Sequence, residues 1–247
     1  MPFELLVITA VALLAYMIKG ATGFGASITL VALGALVLGV TEVVLAATML
    51  DICSGLLMLR ITSAKDVRGF WLPLVGSVAV GSVVGAVLLT FASAESLGLT
   101  VGVLVTGLGL WFVAGRPGLG KEALKGEVPE RANWKAHAVA AFSGFTGGFV
   151  GMSGPPLVFY LGSWMDKHSF RRVLVPLLLA AAVARFVPYA ASGLLTREVL
   201  MIALAGLPPL LVGPWLGDKL FKRLDEKRFG LAVGLMLLAV GVKWLLS

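Results

Sequence analysis

The sequence predicts an all-α, polytopic membrane protein made of two inverted-topology repeats, each a Gly-broken short helix pair followed by three transmembrane helices. Three observations predict it. The chain is 59% hydrophobic and 13% charged, with a mean hydropathy of +0.99, against about 45–50% apolar and about 25% charged in an ordinary soluble domain. Its basic residues gather in alternate loops. A set of glycine motifs recurs in the same order in both halves. At about 20 residues per crossing helix, 247 residues accommodate roughly eight to ten spans.

Apolar runs place helices near 4–18, 25–38, 41–59, 69–91 and 95–114, then 135–150, 155–165, 173–190, 196–216 and 229–246. A first repeat thus fills 1–114 and a second 135–247, with a charged, Gly- and Pro-containing linker at 115–134 between them. Residues 1–18 carry Glu4 where a secretory signal carries bases, and no A-x-A site precedes Lys19. The N-terminus is therefore expected to belong to the mature fold. The first two runs of each half are short: 15 helical residues reach about 22 Å, against a hydrocarbon core of about 30 Å. Such a pair either crosses with the help of tilt and thinning or re-enters the same side, and both choices stay open.

The net charge of +7 and pI near 9.8 would suggest nucleic acid in a soluble protein. In a membrane chain they read instead as orientation. Segments 60–70, 115–135, 166–172 and 217–228 hold 3, 5, 3 and 5 Lys/Arg, which is 16 of the 20. The connections near 39–42, 91–96 and 191–198 hold Arg197 alone, beside Glu42, Glu95 and Glu198. The first four are expected to be cytoplasmic, the other three external, and both termini external, in a cell (inner) membrane.

Gly20-x-x-Gly23-x-Gly25-Ala26-Ser27 aligns with Gly148-x-x-Gly151-x-Ser153-Gly154-Pro155 at an offset of 128. Gly81-x-x-x-Gly85 aligns with Gly213-x-x-x-Gly217, and Gly98-Leu99-x-Val101-Gly102 with Gly230-Leu231-x-Val233-Gly234, at an offset of 132. A four-residue insertion in the second half reconciles the two. Corresponding loops carry opposite charge character, so the halves are expected to be related by an axis in the membrane plane. That architecture is common in secondary transporters, whose sites lie where helices are broken by Gly or Pro.

The breaks are KGATGFGAS (19–27) and GGFVGMSGPP (147–156). Helices starting there would present unpaired N–H groups and partial positive charge across the pseudo-axis, a setting for an anion. Close glycine packing of helices is the competing reading, and the natural one for Gly81, Gly85, Gly213 and Gly217. The candidate substrate-binding residues are Lys19, Gly20, Thr22, Gly23, Gly25, Ser27, Gly148, Gly151, Ser153, Gly154 and Arg185. Lys19 and Arg185 are cations within or beside spans, where charge is expensive, although each has a route to snorkel. Asp51, mid-span, is a candidate for ion pairing with either cation or for proton coupling. Thr146 offers a further hydroxyl, which can equally bond back to its own helix.

Other residues point to ordinary roles. His137 and His168 are expected to be solvated, and with a lone cysteine they make no metal site. Cys53 reads as a small buried apolar residue. Trp71, Trp111, Trp134, Trp164 and Trp244 lie near span ends, as interfacial anchors do.

KGATGFGAS together with GFTGGFVGMSGPPLVFYL resembles the TauE/SafE family of sulfite-exporter-like transporters over essentially the whole chain. Many members carry three consecutive glycines at each break; Gly25-Ala26-Ser27 and Ser153-Gly154-Pro155 resemble a TGFG/SGPP-type subgroup instead. The resemblance implies transport of small sulfur-containing anions such as sulfite, thiosulfate or sulfonates. It also implicates Gly20, Gly23, Gly25, Gly148, Gly151 and Gly154 as site-forming backbone.

The leading expectation is a secondary transporter of a small anion, working by alternating access, with no catalytic residues, metal or cofactor. Its partners are the anion and the lipid bilayer, not nucleic acid; a proton or other coupling ion and a homo-oligomer stay open. An anion channel or structural subunit is the alternative. An intramembrane serine hydrolase built on Gly151-Met152-Ser153-Gly154 is a distant third, since a nucleophile needs a base in reach. No P-loop is present, which argues against ATP drive within the chain.

Overall fold

The structure, a computed structural model, describes residues 2–22, 24–61, 67–114, 129–162, 165, 167–221 and 226–246. Among these residues there are ten helices and no strand. They are α1 (Pro2–Thr22), α2 (Ala26–Gly34), α3 (Val40–Ile61), α4 (Arg68–Leu89) and α5 (Ala94–Val113), then α6 (Trp134–Val150), α7 (Gly154–Gly162), α8 (Lys167–Ala191), α9 (Arg197–Phe221) and α10 (Glu226–Leu246). Each apolar run read from the sequence overlaps one of them, although the runs at 25–38 and 155–165 extend beyond α2 and α7.

Among the described residues six helices are long and apolar enough to cross a membrane, in α1, α3, α4, α5, α8 and α9. The short elements are α2 and α7, nine residues each, or about 14 Å at 1.5 Å per residue, half of a hydrocarbon core. Each short pair is thus a longer helix joined to a half-length one. Bounds shift where charge was taken as an ending. α1 continues past Lys19 and Gly20, and α8 begins at Lys167 inside the basic segment 166–172. Lys and Arg are good helix formers whose stems reach for the interface, so a cluster of them need not end a helix. The prolines inside α4, α8 and α9 are of the kind that membrane helices accommodate.

The chain folds as two compact units, and each draws on both halves of the sequence. One comprises α1, α2, the first half of α3, α5, α9 and α10; the other comprises the second half of α3, α4, α6, α7 and α8. In the first unit α1 packs on α9, α5 packs on α10, and α2 lies against α1, α5 and α10. In the second, α4 packs on α6 and α8, and α7 lies against α6 and α8.

Glycines let these helices approach backbone to backbone. Gly81 lies on the Ala141 carbonyl and Gly85 on that of Phe145, while Gly148 lies on the Ser82 carbonyl. In the other unit Gly213 lies on Tyr16 and the Leu13 carbonyl, Gly217 on the Met17 carbonyl and Gly20 on that of Pro214. Shifting the first set by the sequence offsets of 128 and 132 yields the second, contact for contact. The α5–α10 pair repeats within itself: Gly102 meets Trp244 and Leu245 where Gly234 meets Phe112 and Val113, and Gly109 meets Leu238 where Gly241 meets Thr106. Large apolar side chains such as Val80, Val103, Leu204, Leu211 and Trp215 point outward, more than 60% exposed, as lipid-facing positions require.

Several readings are corrected or refined here. Cys53 is exposed on α3, not buried, because the packed face of that turn is taken by Ser54 and Gly55, the latter against Leu179. His137 is half-buried rather than solvated and shares a 2.7 Å hydrogen bond with Ser77. Trp71, Trp111, Trp134 and Trp244 occupy terminal turns of α4, α5, α6 and α10. Gly23, Trp164, the side chains of Thr22 and His168, and linker residues 115–128 lie outside the described residues.

Candidate functional site

The second break is built by the end of α6. Gly151 adopts φ 75°, a left-handed conformation that glycine takes without a Cβ clash. The Gly151 N–H still donates to the Gly147 carbonyl at 2.9 Å and that of Met152 reaches Thr146 at 3.3 Å. Residues 151–153 then run outside any helix before α7 starts at Gly154. Side chains secure this non-helical stretch. The Thr146 hydroxyl lies 3.0 Å from the Met152 carbonyl and 3.1 Å from that of Ser143. Ser143 donates to the Ser153 carbonyl, and the buried phenol of Tyr189 donates to that of Gly148. Backbone groups at membrane depth need such partners.

Arg185 enters the same place from α8, one turn before Tyr189, so both side chains leave the same helix face. It is 1% exposed. Its Nη1 donates to Ser153 Oγ at 2.7 Å, and its Nη2 pairs with Asp51 Oδ2 on α3 at 2.6 Å. Asp51 keeps 17% of its side chain accessible. Gly147 makes room for the group: a Cβ there would collide with Ser153 Oγ and stand 3.1 Å from Arg185 Nη1. The result is a buried guanidinium, a hydroxyl and a carboxylate in one chain of hydrogen bonds. Arg185 therefore does not snorkel, and Asp51 pairs with it.

Amides contribute less here than a helix start suggests. Of the first four residues of α7, Pro155 and Pro156 have no N–H, which leaves Gly154 and Leu157. Positive charge at this break comes chiefly from Arg185.

The first break is narrower than the motif, with Phe24 and Gly25 as its described non-helical residues. Gly25 has φ 91° and caps α2 by position alone, without a side-chain bond. The Thr29 N–H returns to the Gly25 carbonyl at 3.0 Å. Ile18, Phe24, Gly25, Ile28, Thr29, Leu108, Phe112, Val233 and Leu237 line a small, predominantly apolar pocket. Lys19, half-buried in the last turn of α1, holds its ammonium 5.8 Å from the centre of the Tyr16 ring. Ser27 is half-buried in the first turn of α2.

Of the sequence candidates, Arg185, Asp51, Ser153, Gly151, Gly154 and Gly148 belong to one unit, and Lys19, Gly20, Gly25 and Ser27 to the other. Gly20 and Gly148 are occupied in helix crossings. Ser143, Gly147 and Tyr189 were not singled out from the sequence. Tyr189 had a signal, its i+4 spacing from a buried arginine, and Gly147 adjoined a candidate glycine. Among the described residues no group of three His, Cys, Asp or Glu is placed to hold a metal ion.

No curated protein and no solved structure matches the chain. The family model described as sulfite exporter TauE/SafE matches residues 8–244, and with nearly its whole length covered the chain belongs to this family of membrane transporters of sulfite-like anions.

Proposed function

We propose that the protein is a secondary transporter of a small sulfur-containing oxyanion or sulfonate, of the sulfite, thiosulfate or sulfoacetate class, working by alternating access in the cell (inner) membrane. The observation that carries the reading is Arg185, a cation almost wholly removed from solvent and aimed at the broken helix end through Ser153. A buried charge in a membrane protein is expensive and marks a functional place by default. Guanidinium is the cation suited to it, being weakly hydrated and forked to match two oxygens of an oxyanion. Each break offers an anion its own donors: Arg185 and the Ser153 hydroxyl at the second, Lys19, Ser27 and the first amides of α2 at the other. The repeated glycine contacts support two copies of one unit, and the opposite charge of corresponding loops supports their inversion, with the linker 115–134 cytoplasmic and both termini external.

The test is direct binding to purified protein of sulfite, thiosulfate, sulfoacetate, sulfate and carboxylates, repeated with Arg185→Gln and Lys19→Gln. Arg185→Gln should weaken sulfur-oxyanion binding by at least about tenfold, a loss of one charge-assisted hydrogen bond. Unchanged binding in both variants would remove the cationic assignment. Saturable transport with counterflow in liposomes distinguishes this carrier from a pore.

A further inference from the structure

We infer that Asp51 is a resident anion on Arg185, which the transported anion must displace, and that its charge biases the site toward monoanions over dianions. The inference rests on the anion-carrier reading above and narrows it within the proposed class, favouring hydrogensulfite and simple sulfonates, which are monoanions, over thiosulfate and sulfoacetate, which are dianions at neutral pH. Partners of the guanidinium include the Ser153 hydroxyl at 2.7 Å and the Asp51 carboxylate at 2.6 Å. The carboxylate occupies Nη2, one of the donors that an oxyanion would use on the guanidinium. It is also the more accessible member of the pair, 17% against 1%, so exchange is easier on its side.

An ion pair with one member this buried is weak evidence for stability, since it roughly breaks even against apolar packing. The repeat sharpens the point. Asp51 corresponds to Leu179 at the offset of 128 and to Val183 at 132, and Arg185 to Leu57 or Cys53, so at either offset neither charge has a charged counterpart in the other copy. The charged pair is therefore not repeated between the two copies, and a pair found in one copy alone is not a general requirement of the repeat. With Asp51 displaced but still nearby, an incoming monoanion meets one like charge, and a dianion meets twice the repulsion.

Sulfate and methanesulfonate make the test, as sulfur oxyanions of like shape and different charge. Asp51→Asn should tighten both, methanesulfonate by about tenfold and sulfate by more, while Arg185→Gln weakens both. Equal tightening of the two, no change, or weakening in Asp51→Asn would overturn the inference while leaving the carrier reading intact if Arg185→Gln still weakens binding. Failure of Arg185→Gln to weaken either anion would sink the carrier reading itself. Should Asp51→Asn not fold, the wild type answers through difference infrared spectroscopy with labelled aspartate. Methanesulfonate should shift an aspartate carboxylate band, and an unshifted spectrum at saturation overturns the exchange.

Discussion

The buried phenol of Tyr189 donates to the Gly148 carbonyl, one helical turn along α8 from the guanidinium that holds Ser153. The two side chains secure the end of α6 and the start of α7 from one helix face. Tyr189→Phe removes the donor and leaves the Gly148 carbonyl short of a partner, which should lower stability by about 1–3 kcal/mol. Thermal unfolding of the detergent-solubilised variant checks this, and an unchanged midpoint would show the bond to be dispensable.

The glycine crossings predict matched sensitivities. Gly148→Ala and Gly20→Ala each push a Cβ into a neighbouring backbone, at Ser82 and Pro214 respectively, and should destabilise by about 1–3 kcal/mol or more. Gly76 and Gly107 face open space. Alanine there should be neutral or stabilising by up to about 1 kcal/mol, through helix propensity. Equal tolerance at all four positions would contradict the packing.

Gly151 and Gly25 are constrained by conformation rather than by space. Gly151→Ala should cost about 1–2 kcal/mol for the left-handed turn, and Gly151→Asn less. If the two replacements unfold at the same temperature, the turn is not what limits them.

Orientation is open to a labelling experiment, because Cys53 is the lone cysteine. In a Cys53→Ala background, Lys65→Cys and Leu194→Cys should react with an impermeant maleimide from opposite sides of the bilayer. Labelling of both from one side would abolish the inverted arrangement proposed for the halves.

Much of this architecture was readable in residue order, and the reasons differ by feature. Helix positions followed from apolar runs, and the breaks at Gly25 and Gly151 from glycine placed where a ladder must stop. Helix ends were less legible, because Lys167, Arg171 and Arg172 are as compatible with a helical first turn as with a loop. Pairing was partly legible. Asp51 was a charge in search of a cation, but two cations were candidates, and 134 residues of separation hide the choice until the helices pack. Tyr189 was concealed because a tyrosine near a span end looks like an interfacial anchor until its burial is seen. The exposure of Cys53 depends on which arc of α3 meets α8, which apolar periodicity does not mark when both lipid and core are greasy.

The interleaving of the two units bears on how the protein is made. α1 leaves the ribosome first, yet its main neighbour, α9, begins 175 residues after α1 ends. α4 likewise waits for α6 across the linker. Early helices must therefore be held in the bilayer, or by an insertase, until late ones arrive, and neither half synthesised alone owns a complete set of neighbours. Co-expression of residues 1–120 and 121–247 as separate polypeptides should restore a folded protein, while either fragment alone should be cleared by membrane proteases.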